Sequence, residues 1–165
     1  MKSPNAGLRF AAVAAAFLML AACSSTDEAA GGSSSSTSGQ IVPGSPEDLV
    51  ANVGDRVFFD TDKSALSDDA RATLQRQAAW MELYPNLTFT LEGHADERGT
   101  REYNLALGGR RANAAKDYLV SLGVDAGRLN TVSYGKERPV CLESNENCWA
   151  QNRRAVTVIV SGAAS

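Results

Sequence analysis

Asp96 and Arg111 are the pair of side chains whose types and spacing could do chemistry together. Asp96 stands in a tight polar run, Gly93-His94-Ala95-Asp96-Glu97-Arg98-Gly99-Thr100, and Arg111 stands inside the helical pattern that follows. A carboxylate and a guanidinium on one rigid frame suit a zwitterionic ligand: the carboxylate takes an ammonium, and the guanidinium forks onto a carboxylate. The same spacing also fits a salt bridge tying the loop to the helix, and both readings stand at this level.

Glu92, His94 and Asp96 could also be drawn as an acid–base set for hydrolysis. Nothing completes it: the chain shows no Gly-x-Ser-x-Gly elbow, no zinc-ligand set and no nucleophile–base pair. The expectation is a binding protein and not an enzyme, with no metal and no cofactor. His94, the only histidine, reads either as a ligand contact or as a hydrogen-bonding loop residue. Asp62, in Phe58-Phe59-Asp60-Thr61-Asp62-Lys63, reads as a turn residue after a strand whose end can face the same cleft.

Periodicity supplies the elements that must hold these groups. A first strand is expected over 53–60, with Val57, Phe58 and Phe59 as its bulk. Ser67 is a good N-cap, and Asp68 and Asp69 suit the positive end of a helix running to about residue 84. Ala70, Leu74, Ala78 and Met81 fall on one face of it. The alternation over 87–92 is that of a half-buried strand. A second helix is expected over 101–122, where Gly108-Gly109 looks costly, at about 1 kcal/mol per glycine. Strands over 129–134 and 155–160 complete a β-α-β-α-β-β order. The fold class expected is α+β: a two-layer sandwich with a mixed four-stranded sheet and two main helices on one face.

The first 22 residues read as a secretory signal. Lys2 and Arg9 precede a short apolar stretch, well below the roughly 20 residues of a comfortable membrane span. Leu20-Ala21-Ala22-Cys23 has the form of a bacterial lipobox, with Cys23 as the acylated first residue of the mature chain. Removing Lys2 and Arg9 leaves a net charge of about −5, against −3 for the whole chain, and gives no basic field for nucleic acid. Residues 23–46 are rich in serine and glycine and read as a flexible linker. Residues 47–165 read as one domain. Cys141 and Cys148 remain after lipidation, and export permits a disulfide between them; two cysteines and one distant histidine make a poor metal site.

The run from Gly93 to Thr100, followed by Tyr103-Asn104-Leu105-Ala106-Leu107-Gly108 and Arg110-Arg111-Ala112-Asn113, closely resembles the signature of OmpA-like peptidoglycan-binding domains. The resemblance spans roughly 55–160. It implies that Asp96 and Arg111 grip the amino-acid head of meso-diaminopimelate in the peptidoglycan stem. It implies further that Asp62 touches this ligand, that Leu107 lies along its methylene stem, and that Asn104 belongs to the ligand-binding set, chiefly by ordering the loop around Asp96. His94 could touch it as well. Relatives often carry an aromatic residue at the position of Thr61 and Glu at that of Gly109. The lipid-anchored branch of the family implies an outer-membrane protein facing the periplasm, held there through Cys23. It also implies partnership with TolB and the other Tol proteins, and a role in envelope constriction at division. An OmpA-like anchor for another envelope machine is the alternative.

Overall fold

The computed structural model describes residues 41–163. The expected signal peptide, Cys23 and most of the expected linker lie outside the described residues. Ser45-Pro46-Glu47-Asp48 opens a short helix, α1 (Pro46–Asp48). The Ser45 hydroxyl accepts from the Asp48 N–H at 3.2 Å, and Pro46 sits in the first turn, where no N–H is needed. A π-helical turn, Leu49–Val53, continues it to Gly54 at φ 94°. Asp48 locks this segment to the body. Its carboxylate accepts from Asn52 at 2.7 Å, the Gly44 N–H at 2.8 Å and the Trp80 indole at 2.9 Å.

This segment corrects two expectations. Residues 49–53 are helical, so the first strand is only β1 (Arg56–Phe58) and does not start at 53. Gly44 and Ser45 are already buried, so the folded body begins before residue 47.

The two long helices follow their caps. Ser67 accepts from the Ala70 N–H at 3.2 Å and starts α2 (Asp68–Leu83); Ala70, Leu74, Ala78 and Met81 are buried at helical spacing, together with Gln77 and Trp80. After β2 (Thr88–His94), Thr100 accepts from the Tyr103 N–H at 3.2 Å and starts α3 (Arg101–Ser121). Then come β3 (Leu129–Gly135), α4 (Glu146–Asn152) and β4 (Arg154–Ser161). Helix α4 replaces part of the expected loop: Asn145 caps it, and a Cys141–Cys148 disulfide with a Cα separation of 5.0 Å closes the chain against its first turn.

The sheet order is β1-β4-β2-β3. Strand β4 runs antiparallel to both β1 and β2, and β2 runs parallel to β3 across the α3 crossover. The sheet is therefore mixed and four-stranded, and the fold is the expected α+β sandwich. Leu74, Met81, Phe89, Leu91, Leu119 and Leu129 fill the layer between sheet and helices.

Gly93 and Gly108 bring α3 down onto β2. A Cβ on Gly93 would overlap the Gly108 carbonyl, and one on Gly108 would stand 2.8 Å from the Gly93 oxygen. The glycine inside the helix is thus what permits backbone contact, and its helix cost is spent on bringing the start of α3 over the loop after β2.

Candidate functional site

The loop after β2, the loop after β1 and the first turns of α3 enclose a pocket of about 280 Å3. Thr61, Asp62, Asp96, Arg98, Tyr103 and Leu107 are among its lining residues. It therefore joins two carboxylates, one guanidinium, a phenol and an apolar wall. A larger groove, about 780 Å3, runs beside β1 and the start of α2. It brings together no cluster like that of Asp62, Asp96 and Arg98: Lys63 pairs with Asp60 within it, and Arg56 and Arg153 turn to carboxylates outside its lining, so the smaller pocket is the better candidate.

Asp96 is buried at the base of the loop. Arg98 donates to it three times: N–H to Oδ1 at 3.1 Å, Nε to Oδ1 at 3.0 Å and Nη2 to Oδ2 at 2.7 Å. Arg153 adds a contact at 3.4 Å. Burial alone would raise the Asp96 pKa, but the Arg98 bonds outweigh it, and the carboxyl is held below the usual range. Asp96 is thus an anion at neutral pH.

Arg111 is placed differently from the expectation. It does not bond Asp96, and it is not among the residues lining the pocket. Its guanidinium is fully buried and donates to three backbone carbonyls: Lys63 at 2.9 Å from Nε, His94 at 2.8 Å from Nη1 and Asp60 at 3.1 Å from Nη2. It pins the loop after β1 to the end of β2, with the Phe59 ring centroid 5.3 Å away. Burial pushes its pKa down to about 10, so it stays charged at neutral pH.

Asp62 lines the pocket in a left-handed conformation, φ 57°, and the Tyr103 hydroxyl donates to its Oδ1. A side chain held in that sparsely used backbone region marks a site the surroundings impose. Asn104 donates to the Arg98 carbonyl at 2.7 Å, so it orders the loop that carries Asp96. Leu107 is buried and forms the apolar wall. His94 is not in the pocket. It is buried at the end of β2 with its ring centroid 5.5 Å from that of Tyr134, and neither ring nitrogen has a hydrogen-bond partner among the described residues. Its ring thus makes none of the hydrogen bonds expected of a loop-ordering residue, and it stands outside the pocket's lining.

Arg98, Tyr103 and Trp149 are the residues at this site that sequence reasoning missed. The signal for Arg98 was its position two residues after Asp96, the reach of an Asx-type turn. Trp149 carried no local signal, since α4 returns to the loop across a long sequence separation: its indole donates to Glu97 Oε1 at 2.9 Å.

The OmpA family model matches residues 58–154. The chain is similar to the peptidoglycan-associated lipoprotein of Rhizobium meliloti, 62% identical over 122 residues, covering 74% of this chain and 69% of that one. It is similar to that of Haemophilus influenzae at 48% over 100 residues, covering 61% and 65%. Among solved structures, the peptidoglycan-associated lipoprotein of Burkholderia pseudomallei matches with TM-score 0.63 and 44% identity, over 64% of this chain and 90% of that one. The C-terminal domain of Helicobacter pylori MotB shares the fold, with TM-score 0.62, 21% identity and coverage of 66% and 86%. By family model, identity and fold together, this chain belongs to the OmpA family, among its peptidoglycan-associated lipoproteins.

Proposed function

We propose that this protein is an outer-membrane lipoprotein that holds peptidoglycan without covalent chemistry, through the free amino-acid head of meso-diaminopimelate in the stem peptide. The observation that carries the reading is the convergence of Asp62, Asp96 and Arg98 on one small pocket with Leu107 as its wall. The ligand's ammonium faces Asp62 and Asp96. Its carboxylate faces Arg98 at the rim and feels the charge of Arg111 behind the floor. Its methylenes lie on Leu107. Each exposed ionic contact is weak in water. Many such domains bound along one polymer hold firmly through multivalency.

Residues 1–22 are the signal peptide, Cys23 carries the lipid that seats the chain in the outer membrane facing the periplasm, and the residues between Cys23 and Gly44 tether the folded body to it. TolB and the other Tol proteins are its protein partners, and the assembly supports envelope integrity and outer-membrane constriction during division. The names of its relatives and the lipobox support this reading. The protein turns over no substrate.

The test is a pull-down of the mature lipoprotein on purified sacculi of two kinds. Diaminopimelate-type walls should retain it. Lysine-type walls, whose stem side chain lacks the second carboxylate, should not. Equal retention on both would remove the zwitterion grip.

A further inference from the structure

Arg98 is the guanidinium on the rim of the pocket, yet its side chain is long and 39% exposed. Such a chain has many rotamers, and holding one of them costs entropy. Two features restrain it. One face of its fork is spent on Asp96. Its flat face lies over the Trp149 ring, 4.1 Å from the centroid. Trp149 is itself held. Its indole N–H donates to Glu97 at 2.9 Å, beside Arg98 in the loop, and its neighbour Cys148 is buried in the bridge to Cys141. Asn152, in the last turn of α4, accepts from the Val140 N–H at 2.8 Å and donates to the Cys141 carbonyl at 2.7 Å, clamping the same loop. Arg153, just past α4, ties Glu146 and Asp96 together.

We infer that Trp149, fixed by the Cys141–Cys148 loop, is a positioning residue for the ligand site: it holds the Arg98 guanidinium on the rim in the orientation that meets a ligand carboxylate. This rests on the proposed diaminopimelate reading and adds α4 to the site. Stacking of a guanidinium on an indole is a strong cation–π arrangement, and pre-organising the arginine removes an ordering cost from binding. Phenylalanine at 149 retains a stacking face and loses the bond to Glu97; leucine loses both.

The experiment titrates mature lipoprotein in mild detergent with a soluble diaminopimelate-containing muropeptide, using calorimetry. Trp149→Leu should weaken affinity about fivefold, Trp149→Phe less than twofold, and the Cys141→Ser/Cys148→Ser double variant in the same direction as Trp149→Leu. In an Arg98→Ala background Trp149→Leu should add nothing, an outcome that a merely structural role would not produce. The free protein supplies a second readout: the Arg98 Nε–H NMR signal should carry an upfield ring-current shift that Trp149→Leu removes. Wild-type binding with no change in Trp149→Leu, additive losses in the double variant, or no ring-current shift would each overturn the inference. A wild type that shows the shift but binds no muropeptide would overturn the diaminopimelate reading instead.

Discussion

Arg98 grips Asp96 with a two-pronged fork, Nε to Oδ1 at 3.0 Å and Nη2 to Oδ2 at 2.7 Å, although only Ala95 and Glu97 flank the acid between strand and fork. The carboxylate is buried and anionic at once, because its own loop supplies the counter-charge. Asp96→Asn keeps the shape and removes the charge. It should lower retention on diaminopimelate-type sacculi at least tenfold and cost about 1–2 kcal/mol of stability at pH 7. The folded pKa of Asp96 lies below the unfolded value, so its contribution is present above the ordinary carboxylate range and is lost as pH falls through the folded value. Urea unfolding at pH 7 and pH 3 checks the sign: the stability difference between wild type and Asp96→Asn should shrink at pH 3.

Arg111 presents a different balance. Three carbonyls, two from the loop after β1 and one from the end of β2, converge on one buried guanidinium, and a lysine ammonium has neither the fork nor the reach to hold all three. Arg111→Lys and Arg111→Ala should both destabilise, by about 2 and 3–5 kcal/mol, and both should loosen the loop that carries Asp62. Denaturant midpoints, read beside sacculus binding well below the midpoint, separate the two effects. If Arg111→Lys retained full stability, the carbonyl clamp would not be what holds the loop.

The same two arginines show what the sequence could and could not say. The acid after β2 and the arginine in α3 were legible, because a polar run after an alternating strand and a helical period are local signals. Which arginine lines the pocket was not legible. That depends on the Gly93–Gly108 contact, which drops α3 so that Arg111 points into the loops, and on α4, which returns Trp149 under Arg98. The short helix at Ser45-Pro46-Glu47-Asp48 carried a full capping signature and was legible in principle; the apolar residues after it resemble the start of a strand. The cost assigned to Gly108 was the right local physics, overridden by a tertiary contact.

That contact gives a sharp packing prediction. A methyl on Gly93 would overlap the Gly108 carbonyl, and both atoms belong to backbone, so no side chain can swing away. Gly93→Ala should cost 3 kcal/mol or more and move α3 off the sheet. Gly109→Ala is the control in the same helix, where the added carbon meets only Ser133 Cβ at 3.9 Å. It should be neutral or stabilising by up to about 1 kcal/mol, since alanine is the better helix former. Thermal unfolding of the two variants should move in opposite directions from wild type, or only Gly93→Ala should move.

His94 makes the last prediction, on pH. It is 2% exposed, with Glu92 Oε2 3.7 Å from Nε2 and no hydrogen bond on either nitrogen. Burial, followed by the positive fields of Arg154, Arg138 and Arg56, pushes its pKa down from 6.5 to about 4. The sign follows directly. Between those two values the unfolded chain binds a proton at this residue and the native chain does not, so stability falls as pH drops from 6.5 towards 4. Because the chain has one histidine, and its paired carboxylates act only at lower pH, the window from 7.5 to 5 belongs to His94. The loss over that window should be about 2 kcal/mol in urea unfolding. His94→Phe fills a similar space without a titrating ring and should be flat over the same range, whatever its absolute stability. A wild type that is flat from pH 7.5 to 5 would mean that the native imidazole takes up its proton as readily as the unfolded one, and that the arginines around it are screened.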